Sequence, residues 1–313
     1  MNNNTNHNTP VIIGIDHGYG NIKTANCCFP TGVLSCNSEP TFKQNLLVYE
    51  DRYYLIGEDH KEFTADKMAD QDFYILTLAA IARELQIRTL TSACVHIAAG
   101  LPLTWVSEQK TAFRQYLLQN ESADFTFRGV GYHVEFAGAD IFPQGFPAVA
   151  DHLRDFQGVN MLCDIGNGTM NIMYINNHKP VPSKCFTDKY GVHQCVLAVR
   201  EKLMRTFGAV VDDLIIEDVL RHGDTASVSP RYLDVIRMGA EEYAEGIMRR
   251  LREREYNPEL MRLYVVGGGS CLIHNFAHYD ESRVTINGDI RATAKGYETL
   301  ATHKLRRETG GMV

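Results

Sequence analysis

Val11-Ile12-Ile13-Gly14-Ile15-Asp16-His17-Gly18-Tyr19-Gly20-Asn21-Ile22-Lys23 decides the fold once it is set beside Val159-Asn160-Met161-Leu162-Cys163-Asp164-Ile165-Gly166-Asn167-Gly168-Thr169-Met170-Asn171. Each stretch is an apolar strand that ends on an aspartate, passes through two glycines one residue apart and turns back as a second strand (21–28 and 171–176). In the first copy, Gly18 and Gly20 let the backbone turn sharply and bring N–H groups to an anion, with Tyr19 and Asn21 in the same turn. Lys23 can set an ammonium on that anion as a point charge. Asp16, at the strand end, is placed to hold Mg²⁺ through water, because magnesium keeps much of its hydration shell. Asp164, Gly166, Asn167, Gly168 and Thr169 repeat the same chemistry. A single Asp-x-Gly-x-Gly fits a hairpin that merely needs glycines. Two copies about 150 residues apart point to two domains of common plan, each giving a phosphate hairpin and a carboxylate to one metal's water shell.

A third element, Leu263-Tyr264-Val265-Val266-Gly267-Gly268-Gly269-Ser270, runs a buried strand into three glycines. Such a run lets backbone pass over a flat adenine or ribose; an ordinary strand-to-helix turn has the same look. Between these landmarks, 46–58 is a hairpin with Glu50-Asp51 near its tip, and apolar spacing over 70–86 predicts a helix. Residues 93–99 form a buried strand leading to Gly100-Leu101-Pro102-Leu103, and a helix opens at Thr104. Residues 125–136 alternate as a strand or hairpin, and the Pro-rich turn 141–147 precedes a helix from near Ala148. Helices are predicted from Gly191 to Met204, over 208–260 with a break at 222–229, and over 290–304.

The 313 residues include 31 basic and 38 acidic side chains, a net charge of −7, which provides no general attraction to nucleic acid or anionic membrane. The eight cysteines contain no C-x-x-C pair and read as reduced thiols. MNNNTNHNTP lacks the basic and apolar regions of a signal peptide, and no apolar run reaches the roughly 18 residues of a membrane span, so a cytoplasmic location is expected.

In order and spacing the three elements resemble the actin/Hsp70/sugar-kinase superfamily. Asp16-x-Gly18-x-Gly20-x-x-Lys23 resembles the phosphate-1 loop, Asp164 to Asn171 phosphate-2, and Val265 to Ser270 the adenosine motif. The resemblance implies an actin-like (ribonuclease H-like) α/β fold of two related domains flanking a nucleotide cleft. They would be 1–157 plus 290–313, with a small subdomain about 30–92, and 158–289, with a small subdomain about 208–260. It implies ATP, or alternatively GTP, with Mg²⁺ held by Asp16 and Asp164. In the 191–203 helix, Arg200 and Glu201 match the pair beside ribose and adenine, although surface roles suit them nearly as well. Residues 290–297 resemble the closing connect-2 helix, whose small residues permit close packing between domains.

Within the superfamily, Gly100-Leu101-Pro102-Leu103 and Ala294-Lys295-Gly296-Tyr297 resemble the bacterial ParM/StbA plasmid-segregation type. That likeness implies a cytoskeletal ATPase that polymerises on ATP. It also implies partners: further copies of itself, and a ParR-like adaptor on centromeric plasmid DNA. At connect-1, where a glutamate that orients the attacking water is expected in many ParM proteins, this chain has Gln144. A neutral amide orients water but is a negligible base at neutral pH, which suits slow hydrolysis. A polar residue in a Pro-rich turn is the plainer account of Gln144, and Asp140 or Asp151 is the alternative carboxylate. The competing function is a small-molecule kinase of the same fold, which needs a carboxylate base. A chaperone-like module needs a substrate domain for which there is no room. His274-x-x-x-His278 has zinc-like spacing without a third ligand, and 249–255 (RRLRERE) reads as a solvated helix face.

Overall fold

The computed structural model describes residues 9–58 and 67–310, and the chain divides into two compact units, Met1–Ala150 with Arg291–Val313, and Asp151–Ile290. The strands of the first unit are β1 (Val11–His17), β2 (Asn21–Lys23), β3 (Cys28–Pro30), β4 (Val33–Cys36), β5 (Leu46–Tyr49), β6 (Arg52–Ile56), β7 (Ser92–Leu101), β8 (Ser122–Phe127) and β9 (Val130–Pro143). They form one sheet in the order β3-β2-β1-β7-β9-β8-β5-β6-β4. Its helices are α1 (Asp72–Ile87), α2 (Leu103–Leu117) and, last in the chain, α7 (Ala292–Gly310). The second unit has β10 (Val159–Ile165), β11 (Met170–Asn176), β12 (Lys179–Asp188), β13 (Arg262–Val266) and β14 (Val284–Ile286), in the order β12-β11-β10-β13-β14. Its helices are α3 (Val192–Phe207), α4 (Asp213–His222), α5 (Pro230–Glu253) and α6 (Ser270–Phe276).

The repeat in the sequence is a repeat in topology. In each unit an antiparallel three-stranded meander, β1-β2-β3 or β10-β11-β12, continues by parallel pairing into two further strands, β7-β9 or β13-β14. The register repeats as well. Asp16 lies opposite Lys23 and Asp164 opposite Asn171, so each aspartate faces the residue seven positions on.

Alternation along β1 divides its side chains between the two sheet faces. Ile13 and Ile15 join the main core with Phe73, Leu76 and Ile81 of α1, while Ile12 packs in a separate cluster with Ala98, Tyr297 and Ala301. The last helix lies so close to the sheet that a Cβ on Gly14 would sit 2.0 Å from the Ala294 carbonyl oxygen. The small residues of α7 therefore serve close packing on the first unit's own sheet.

Three two-residue turns, Glu50-Asp51, Arg128-Gly129 and Asn177-His178, have positive φ at both positions, the hand that matches strand twist. The segment after the Pro-rich turn is a 3-10 helix, Phe146–Asp155, where an α-helix from Ala148 is expected. All eight cysteines are free thiols. No helix among the described residues is long and apolar enough to cross a membrane.

Candidate functional site

In the first unit, β1 delivers Asp16 to the end of the strand, 7% exposed, where two neighbours donate to its carboxylate. Lys23 Nζ reaches Oδ2 at 3.2 Å across the hairpin, and Gln144 Nε2 reaches Oδ1 at 3.1 Å from the end of β9. Gln144 is anchored in turn through its own N–H, which donates to the Leu101 carbonyl at 2.8 Å. Lys23, from the same motif, and Gln144, from the Pro-rich turn, thus meet on the Asp16 carboxylate.

The turn itself is oriented by what its carbonyls accept. Gly18 N donates to Asp16 O at 3.0 Å, Lys67 Nζ to His17 O at 2.6 Å, Thr31 Oγ1 to Gly18 O at 2.6 Å, and Thr31 N to Gly20 O at 3.0 Å. Because a trans peptide sets C=O and the next N–H on opposite sides, the Tyr19 and Asn21 amides point away from these donors.

Behind the turn, His17 is fully buried, with Nε2 2.8 Å from Thr77 Oγ1 and its ring edge-on to Phe73 and Phe113. Burial, helped by the Lys67 charge, lowers its pKa to about 3, so the ring is neutral at pH 7. Lys67 is 1% exposed, and its ammonium lies 5.3 Å from the Tyr19 ring centroid and 5.5 Å from that of Phe73. Burial lowers the Lys67 pKa to about 8, with Asp16 opposing the shift and Lys23 adding to it. Lys67 and Thr31 were not legible as site residues, since Lys67 sits in a charged stretch without periodicity and Thr31 follows a Pro like any turn residue.

The second unit builds its hairpin the same way from different donors. Gly269 N donates to Ile165 O at 2.8 Å, Val192 N to Gly166 O at 3.1 Å, His193 N to Asn167 O at 2.9 Å, and Gly166 N to Thr169 O at 2.8 Å. The first amides of α3, orphan donors at any helix start, are thereby satisfied by the turn. The Asn167 and Gly168 N–H groups, opposite the Gly166 and Asn167 carbonyls, face away from α3. Asn171, where the first hairpin has Lys23, accepts from Thr187 Oγ1 at 2.8 Å.

The glycine run after β13 packs on this hairpin. A Cβ on Gly267 (φ 88°) would lie 2.4 Å from Asp164 Oδ1, and one on Gly269 would lie 2.3 Å from Ile165 Cγ2, whereas a Cβ on Gly268 meets nothing within 4 Å. Packing accounts for the outer two glycines, and Gly268 alone presents open backbone. Gly267→Ala should therefore destabilise the unit by about 1–3 kcal/mol, a left-handed residue forced into a clash. Gly268→Ala should keep the wild-type melting temperature, as thermal melts would register. Ser270 is buried and its hydroxyl turns to the Asn287 carbonyl at 3.5 Å.

Other residues singled out in the sequence have partners of their own. Arg200 Nη1 bridges both Asp213 oxygens at 3.2 Å, and Glu201 accepts from Arg205 at 2.5 Å. Asp140 pairs with Lys304 and, at 3.1 Å, with His96. Burial would raise its pKa, but the Lys304 and His96 hydrogen bonds outweigh that and hold it below the usual range, so it is a fixed anion. The Asp151 side chain lies outside the described residues. His278 falls beyond the end of α6 and meets Glu245, so the His274/His278 spacing does not fall on one helix face.

Residues 14–146 match the N-terminal domain of actin-like proteins, and residues 162–278 match the C-terminal domain of the archaeal MreB-like actin homologue. The chain belongs to the actin-like proteins. Among solved structures, this actin-like protein is similar to Ta0583, an archaeal actin homolog, in complex with ADP, at 21% identity and TM-score 0.73, covering 94% of this chain and 99% of that one. It is similar to Bacillus thuringiensis ParM with ATP, at 14% identity and TM-score 0.69, covering 95% and 99%. An Alp12 filament structure aligns at 15% identity and TM-score 0.68, covering 94% and 98%. No match is found among curated proteins.

Proposed function

We propose that this actin-like protein is an ATPase whose two hairpins hold the phosphates of one Mg-ATP, and that it polymerises into filaments in the nucleotide-bound form. The observation that carries the reading is the shared construction of the hairpins. Each has an aspartate seven residues before its cross-strand partner and a turn whose carbonyls are bound by its own unit. The fold is that of relatives solved with ADP or ATP and, in Alp12, as a filament.

In this reading the amides of Tyr19, Asn21, Asn167 and Gly168 receive phosphate oxygens, with Lys23 adding its charge. Asp16 and Asp164 hold the water shell of the magnesium. Their donor chemistry fits, since hard carboxylate oxygens suit Mg²⁺. Among the described residues each Asp16 oxygen accepts one hydrogen bond and so keeps a lone pair for a metal-bound water. The ion, when bound, screens the phosphate charge. Gln144, hydrogen-bonded to Asp16, orients the attacking water through its amide, and hydrolysis then destabilises the filament. Arg200 and Glu201 would turn from their present partners to the ribose and adenine, with Gly268 beneath the base and Ser270 held by Asn287.

The process served would be plasmid segregation through a ParR-like adaptor on centromeric DNA, a finer step that rests on the 100–103 and 294–297 stretches. The purified protein with Mg-ATP should scatter light above a critical concentration and show filaments by electron microscopy. A chain that stays monomeric at high concentration with ATP, yet phosphorylates a sugar, would sink the filament reading. The hydrogen bonds that Asp140 accepts from Lys304 and His96 speak against its use as a kinase's base.

A further inference from the structure

We infer that Lys67 is a positioning residue of the phosphate-1 hairpin, a buried cation behind the turn that supplies part of its attraction for phosphate through the His17 carbonyl it holds. The inference rests on the nucleotide reading above.

Lys67 brings a charge to a place where charge is costly, and the structure gives that charge little compensation. It is 1% exposed, its Nζ has three protons, and it donates to the His17 carbonyl at 2.6 Å. The carboxylate nearby, Asp16, is already contacted by Lys23 and Gln144. Among the described residues, then, the buried Lys67 charge is answered by one carbonyl and by the Asp16 carboxylate it shares with Lys23, and it is packed against Tyr19 and Phe73. An anion on the far side of the turn would balance it. Lys67 itself is buried, so it acts as a fixed charge and as the anchor of one carbonyl, without touching the ligand.

Charge and anchoring can be separated by substitution. K67M removes both, K67Q removes the charge but keeps an N–H for the His17 carbonyl, and T31V removes only the neighbouring anchor on Gly18. Dissociation constants for ATP, ADP and AMP would be measured by calorimetry on each full-length variant. A lost charge weakens ligands in proportion to their negative charge, so K67M and K67Q should lose about tenfold for ATP, less for ADP and least for AMP. T31V should weaken all three alike. A uniform loss in both Lys67 variants, or none, overturns the charge role while the nucleotide reading stands. Failure of the wild-type chain to bind any of the three overturns both. Should neither Lys67 variant fold, the Lys67 ammonium resonance of labelled wild-type protein provides the readout. It should shift with ADP and further with ATP, and an unmoved resonance overturns the inference.

Discussion

Asp164→Ala is expected to lower magnesium-dependent ATP turnover by about 10- to 100-fold, the usual cost of losing a group that orients a metal's water shell. Part of the loss should return at high magnesium, because the defect lies in holding the ion. The fold should persist by circular dichroism, since the Asp164 side chain is only partly buried at the end of β10 and the hairpin is held by backbone donors from α3 and Gly269. Turnover measured against magnesium concentration checks the claim. Unchanged turnover at low magnesium would take Asp164 out of the site.

The largest effect on stability is expected at Glu84. Its carboxylate is fully buried on α1 and accepts from Thr24 Oγ1 at 2.5 Å, Asn26 N at 3.0 Å and Asn26 Nδ2 at 2.9 Å, and it pairs with Arg88. These contacts tie α1 to the β2–β3 turn, under the return strand of the first hairpin. Glu84→Ala strips the acceptor from all of them and should cost about 3–5 kcal/mol, measured by urea unfolding. The pH dependence has a definite sign. Burial raises the Glu84 pKa, but the Thr24 and Asn26 hydrogen bonds and the Arg88 charge outweigh it and leave it below the ordinary 4.5. A carboxyl depressed by folding stabilises above its unfolded pKa, and that stability is lost as pH falls through the folded value. Wild type and Glu84→Ala should therefore differ most near neutrality and converge progressively below about pH 4.5.

How much of this could be read from the residues differs by element. The two hairpins were legible because Asp-x-Gly-x-Gly occurs twice, and chemistry that repeats is hard to mistake for a bare turn. β12 was not read at all, since Pro180 and Pro182 lower its strand signal; it tolerates them as the edge of its sheet. The hairpin 46–58 and the alternation over 125–136 were visible separately. That β5 pairs with β8, Leu47 opposite Phe127, was not, because alternation marks a strand without naming its neighbour. In the site, Asp16 and Lys23 were found together in one motif and Gln144 through the connect-1 resemblance, and the sequence does not say that Lys23 and Gln144 meet on the Asp16 carboxylate. Lys67 left no trace, since a lysine among acids reads as solvated. The glycine run was overread: two of its three members answer to packing on Asp164 and Ile165.

The bonds from Val192 and His193 to the 166–167 carbonyls make the second turn and α3 one mechanical piece. A helix of 16 residues is a stiff rod roughly 24 Å long, and whatever draws the turn draws the rod with it. Its outer face carries Leu197 and Met204, both left uncovered, and its side is strapped to Asp213 of α4 through Arg200. A displacement of a few tenths of an ångström at the turn therefore reappears at a greasy surface as far as about 18 Å along the rod, without any side chain in between having to change its rotamer.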